Sequence, residues 1–156
     1  MTYTAYCKTK CFITDENSTP YTKSYDFWKA MIQKISQVAT EFEIRCWKNE
    51  ALAIEIGEKF GECVNNFETE EIVYQGKITV ELISEILNNY LTEDGRLKWF
   101  SIFFKKDKKT IFSSEHYGTE IIILGITEKE IDVIKDFSKK FKEVDYVHIF
   151  EEKIEE

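Results

Sequence analysis

The chain has 156 residues, 29 acidic against 21 basic, for a formal net charge of −8 at pH 7, with 43% hydrophobic and 32% charged residues. That length buries roughly two-thirds of the surface the unfolded chain exposes, enough for one core without metal or disulfide staples, and a single proline and six glycines leave little for a linker. The negative balance disfavours nonspecific binding to nucleic acid and to anionic membranes, no run nears the ~20 apolar residues of a membrane span, and a basic protein is the easier partner.

Alternation of Tyr3, Ala5, Cys7, Thr9, Cys11 and Ile13 with Thr4, Tyr6, Lys8, Lys10 and Phe12 predicts a strand over 2–13, closed by the polar run 15–20. The opening MTYTAYCKTKC lacks a basic segment followed by an apolar run, so no secretory signal is expected and the cytoplasm is the expected compartment. After Ser24 as N-cap, Phe27, Trp28, Met31, Ile32, Ile35, Val38 and Ala39 recur at helical spacing. Glu41 to Lys48 alternates again, with Phe42, Ile44 and Cys46 on one face and Glu41, Glu43 and Arg45 on a wet one. Leu52, Ile54 and Ile56 continue the alternation, so 41–56 reads as a hairpin turning at Lys48, Asn49 and Glu50, although the Ala, Leu and Glu residues there also suit a helix.

Glu70 to Ile78 is the next expected strand. Thr79 then opens a helix with the stripe Leu82, Ile83, Ile86, Leu87, Tyr90 and Leu91. Strands follow at 99–104 and 110–113, joined by a lysine-rich turn, and Ile121 to Leu124 suits a strand buried on both sides. Thr127 and Glu130 form a capping box ahead of a helix burying Ile131, Ile134, Phe137 and Phe141; the last strand covers 146–150, and 151–156 is a frayed tail. The fold class is therefore α+β, an antiparallel sheet with helices packed on one face. The C-terminal half reads strand, helix, strand, strand, helix, strand, a ferredoxin-like order (βαββαβ). One domain over 1–156 is expected, with possible halves at 1–69 and 70–150, because 24–56 and 79–112 both read helix, strand, turn, strand.

Catalytic signatures are missing. Cys7 and Cys11, if both sit in one strand, are about 13 Å apart, too far for a bridge or a shared metal, so all four cysteines are expected as free thiols. There is no HExxH, close CxxC, calcium loop, phosphate-binding glycine loop or GxSxG, and neither a metal nor a cofactor is expected. The densest reactive segment runs from Ser113 to Glu120, and Glu115, His116 and Tyr117 mark an alternative pocket for a small enzyme or ligand-binding domain. His148, set in an apolar strand, is expected to be hydrogen-bonded and partly buried. A two-histidine phosphoesterase would carry a hydroxyl residue two positions after each histidine, where this chain has Gly118 and Phe150.

Charge is distributed unevenly. Nine glutamates oppose three cations between Glu41 and Glu71, whereas six cations oppose one aspartate between Arg96 and Lys109. Aromatic residues reach 15%, more than one core of this size needs, so some rings should anchor a partner at the surface. The expected function is a non-enzymatic acidic binding protein, of the kind seen in immunity or inhibitor proteins that neutralise a basic toxin or nucleic-acid enzyme. Glu41, Glu43, Trp47, Glu50, Glu55 and Glu58 are the expected partner contacts. Self-association as a homodimer is the further possibility.

Overall fold

Alternating side chains fix this fold. The computed structural model describes residues 1–14, 17–65 and 70–153; Glu68 of the acidic stretch and the end of the expected tail lie outside the described residues. Its elements are β1 (Tyr3–Thr9), β2 (Phe12–Thr14), β3 (Asn17–Tyr21), α1 (Asp26–Ser36), β4 (Glu41–Trp47), α2 (Ala51–Phe60), β5 (Glu62–Cys63), β6 (Glu71–Lys77), α3 (Val80–Asn88), β7 (Ser101–Lys106), β8 (Lys109–Glu115), β9 (Glu120–Ile126), α4 (Glu128–Ser138) and β10 (Val144–Glu151). Eight strands form one sheet in the order β10-β1-β9-β8-β7-β4-β6-β5, every pair antiparallel, and β2 and β3 form a separate ribbon. Among the described residues, no helix is long and apolar enough to cross a membrane.

The register sorts side chains onto two faces. Ala5 and Cys7, Ile121 and Ile123, Phe112, Ile102 and Phe104, Phe42, Ile44 and Cys46, and Ile72 and Tyr74 occupy mutually opposite positions, and all are buried. Against this face pack Phe27, Trp28, Met31 and Ile32 of α1, Ala53 and Ile56 of α2, and Leu82 and Ile86 of α3; α4 contributes its half-buried Ile131, Ile134 and Phe137. Trp28 stacks on Trp99 at 6.3 Å and donates its indole N–H to the Ser114 hydroxyl at 2.8 Å, which satisfies both buried polar groups. Among the described residues, the opposite face carries no helix.

Several local expectations are corrected. Residues 51–56 are not the second arm of a hairpin but the first half of α2: Ala53, Ile56 and Gly57 are buried at helical spacing, whereas Leu52 is 42% exposed. The supposed repeat of 24–56 in 79–112 lapses with it, since β4 leads into a helix and β7 into a strand. β1 ends at Thr9, leaving Cys11 beyond it, and Tyr25 takes the N-cap of α1 while the Ser24 hydroxyl accepts from the Asp26 N–H at 3.2 Å. Ile121 and Ile123 are buried, but Ile122 and Leu124 on the other face are only half-buried. Three strands stand between α3 and α4, and the N-terminal β4 and β1 insert beside β6 and β10, so both halves of the chain build one sheet. The capping box of α4 is present, with the Thr127 hydroxyl donating to Glu130 at 2.9 Å. All four cysteines are free thiols, and burial pushes those of Cys7 and Cys46 up to about 12.

Gly57 lets α2 lie directly on β6. A Cβ there would stand 2.3 Å from the buried Tyr74 ring, whose hydroxyl donates to Glu58 one residue further along the helix at 2.8 Å. Gly57→Ala should therefore destabilise the fold by about 1–3 kcal/mol through overpacking, despite the ~1 kcal/mol alanine gains in helix propensity. A fall in the urea midpoint at unchanged m-value checks this.

Candidate functional site

On the helix-free face, side chains line up in rows across the strands. One row runs Gln75, Glu43, Phe103, Ser113, Ile122, Tyr6 and His148, from β6 to β10. A second contains Val73, Arg45 and Ser101 on one side and Glu115, Glu120, Lys8 and Tyr146 on the other. Glu43 lies on β4, the third strand from the β5 end of the sheet, and is only 5% exposed. Its carboxylate accepts from Gln75 Nε2 at 2.6 Å and Arg45 Nε at 2.8 Å, and it pairs with Lys105 Nζ at 3.4 Å. Burial works to raise this carboxyl, but the hydrogen bonds from Gln75 and Arg45 and the charges of Arg45 and Lys105 overturn it, holding Glu43 below the usual carboxylate range. Arg45 also reaches Glu71 at 3.6 Å and lies 5.0 Å over the Phe103 ring.

Aromatic rings gather at the end of the sheet where β4, β7 and β8 meet their loops. Trp47 lies 4.9 Å from Phe100, which meets Tyr117 at 5.4 Å and His116 at 5.8 Å. Glu50 is turned inward: it accepts the Trp47 N–H at 2.7 Å and the Tyr117 hydroxyl, and burial raises its carboxyl above the ordinary value. His116 and Tyr117 both adopt positive φ, 50° and 58°, ahead of Gly118 at 79°. This unusual turn is held by the Tyr117 N–H on the Phe100 carbonyl at 3.1 Å and the Thr119 hydroxyl on the His116 carbonyl at 2.9 Å. His116 Nδ1 pairs with the Glu120 carboxylate, which also accepts the Tyr6 hydroxyl. Burial opposes ionisation of Glu120, yet those two hydrogen bonds with the charges of His116 and Lys8 keep its carboxyl depressed.

The six acidic and aromatic positions expected to share one surface are distributed over different parts of the molecule. Glu41 is exposed on the helix-free face, opposite Lys77 and Lys105. Glu43 is buried in its ion-pair cluster, Trp47 and Glu50 belong to the aromatic end, and Glu55 and Glu58 project from α2 on the other side of the sheet. Trp47 and Glu50 instead join Tyr117 of the alternative set. Glu115, His116 and Tyr117 engage three separate partners: Glu115 accepts from Ser113 at 3.2 Å, His116 holds Glu120, and Tyr117 holds Glu50. His148 is exposed rather than partly buried, its ring 4.5 Å from Tyr146 and 6.2 Å from Phe150 on the outermost strand.

Gln75 and Tyr6 were not singled out in the sequence, and Phe100, Lys105 and Glu120 stood out only within their own segments, because each meets its partner through strand pairing. Chemically, the arrangement offers hydrogen-bonded charges, hydroxyls and aromatic rings. Among the described residues, no group of three or more His, Cys, Asp or Glu side chains could hold a metal ion. No protein-family model, no curated protein and no solved structure matches the chain.

Removing the Glu43 carboxylate leaves Lys105 and Arg45 facing each other without their shared anion. Glu43→Ala should cost about 1–2 kcal/mol, below the value for a fully dry pair because the Arg45 side chain is 41% exposed. A depressed folded-state value means the contribution is present above the ordinary carboxylate range and lost as pH falls through the folded value. The stability gap between the native protein and Glu43→Gln, read by urea denaturation at pH 7 and again in acid below about pH 4, should therefore narrow.

Proposed function

We propose that this chain is a non-enzymatic binding protein that docks a basic protein on the helix-free face of its sheet. The observation that carries this reading is the preorganisation of that face. Glu43, Arg45, Lys105 and Gln75 hold one another in place across β6, β4 and β7, and Glu120, Tyr6 and His116 do so towards β1. Side chains already fixed lose little entropy on association, so their contacts convert more fully into affinity. The net charge of −8 adds long-range attraction for a cationic partner without requiring a contiguous anionic strip.

An immunity or inhibitor protein acting on a basic toxin or nucleic-acid enzyme is the form of this reading that the net charge favours. Four free cysteines suit a reducing compartment, and the cytoplasm is proposed accordingly. The alternative of a pocket at Glu115, His116 and Tyr117 has less support, since the three side chains face different partners and that of His116 is 57% exposed.

Site-specific photo-crosslinking in the source cells tests the docking face. A benzophenone side chain placed at Glu41 or Lys77, both exposed on the helix-free face, should form an adduct with a basic protein, and added salt in lysate should weaken capture. The same probe at Leu52 of α2 or Val80 of α3 should not. Adducts confined to Leu52 and Val80, an acidic partner, or no adduct at any of the four positions would each reject the proposal.

A further inference from the structure

The two ends of the eight-stranded sheet are unequal. One end is β5, only two residues long, which offers almost no backbone to pair with. The other is β10, eight residues long, with the sequence VDYVHIFE. It contains no proline or lysine, and its charges, Asp145 and Glu151, and the β-bulge at Asp145 sit towards its two ends, leaving Val147 to Phe150 as the open stretch. Among the described residues, no strand pairs with its outer side.

Ladder geometry identifies the free groups. The Glu152 N–H donates to the Thr2 carbonyl at 2.9 Å, and Phe150, His148 and Tyr146 stand opposite Thr4, Tyr6 and Lys8. In an antiparallel ladder, alternate residues turn both backbone groups to the same neighbour, so these even-numbered residues bond to β1. Val147, Ile149 and Glu151 consequently direct N–H and C=O outward, and at Asp145 the ladder with β1 shifts register by one residue. Their side chains lie on the helix-bearing side, since Val147 is opposite Cys7 and Ile149 opposite Ala5. There Val147, with Asp145, borders an open groove of about 460 Å³ between β10 and α4, lined also by Lys135, Lys139, Lys142, Phe141 and Val144.

A second copy of the chain fits this edge, because two antiparallel copies of one strand are self-complementary about a two-fold axis. Among the registers centred on Val147, His148 and Ile149, charge favours one. With the axis at His148, Asp145 would face Glu151 of the other copy twice. With the axis at Val147, Glu143 would face Glu151. With the axis at Ile149, Asp145 faces the other copy's Lys153 on both sides, and Val147 faces its Glu151 beside the lysines of the groove. The same register sets exposed His148 opposite the other copy's Phe150, itself 53% exposed, extending the aromatic strip of Tyr6, Tyr146 and His148 across the seam.

We infer that the protein forms a homodimer in which β10 pairs antiparallel with β10 of a second copy about an axis at Ile149, joining two sheets into one. The inference is independent of the docking face proposed above.

Sedimentation equilibrium across a range of concentrations should show reversible association to twice the 18.5 kDa chain mass. Amide exchange at Val147, Ile149 and Glu151 should slow as concentration rises. Asp145→Lys, at an exposed position, should weaken association by about tenfold by placing like charges opposite one another twice. Lys153→Asp alone should do the same, and the two together should restore it. Val147→Pro, which removes an outward N–H, should abolish the dimer with the far-ultraviolet circular dichroism unchanged. If that variant unfolds, the charge variants still decide. A monomer at every concentration, or a dimer indifferent to Asp145→Lys, overturns the inference, and failure of the paired reversal to rescue overturns the register.

Discussion

One-sided burial of an all-antiparallel sheet is the constraint on which the structure depends. Phe42, Ile44 and Cys46 of β4, Ile102 and Phe104 of β7, Phe112 of β8 and Ile121 and Ile123 of β9 share one face because the side-chain period of a strand is two. A slip of one residue in any ladder would send these side chains to water and bring Glu43, Phe103 or Glu120 under the helices. The core thus sets the register, and the register composes the other face. Neither Glu43 with Lys105 nor Tyr6 with Glu120 is near in sequence; each pair meets because the apolar positions on either side of it had to be buried together.

The same constraint dissolves the charge asymmetry of the linear chain. Glutamates cluster between Glu41 and Glu71 and cations between Arg96 and Lys109, yet β4 and β7 are neighbours, so Glu41 lies opposite Lys105 and Glu43 pairs with it. Two opposed patches become one partly self-neutralising surface. What survives at long range is the net charge, which steers encounter but selects no face, and what survives at short range is a set of fixed hydrogen bonds. Glu43 is also where burial and pairing compete most directly: its place in the sheet disfavours the ionised form, and three neighbours restore it.

Legibility in the sequence followed the reach of the forces involved. The helix at 80–88 and the capping box of α4 were readable because their determinants lie within a few residues: the Thr79 side chain accepts from the Leu82 N–H at 3.1 Å, and Thr127 meets Glu130. The helix over 51–60 was misread because Leu52, Ile54 and Ile56 alternate by accident. Its buried side is decided by the Tyr74 ring lying against Gly57, which no local pattern reveals. His148 was expected inside because its neighbours are apolar, but Val147 and Ile149 face the helix side while Tyr146, His148 and Phe150 share the open one. The helix-on-one-face architecture was legible from alternation; the order of strands was not, since β1 and β4 insert between strands far away in the chain.

That insertion also explains why β10 is bare. A chain that builds its sheet by placing β1 between β9 and β10 leaves its last strand with one ladder, and Glu152 fastens its end by accepting from the Gly125 N–H at 2.6 Å and the Thr2 hydroxyl at 2.7 Å. The Gly125 hydrogen bond, with those from Thr2 and Thr4, holds the Glu152 carboxyl below its ordinary range against a small opposing effect of burial. A charged residue is thereby committed to holding the end of β10 against β1 and the end of β9, while among the described residues no strand pairs with the other side of β10. At the opposite end the sheet narrows to two residues and needs no shield. A fold that ends one edge by shortening it and leaves the other long, apolar on one face and aromatic on the other has treated its two edges differently, and the physical cost of an exposed ladder falls on β10 alone.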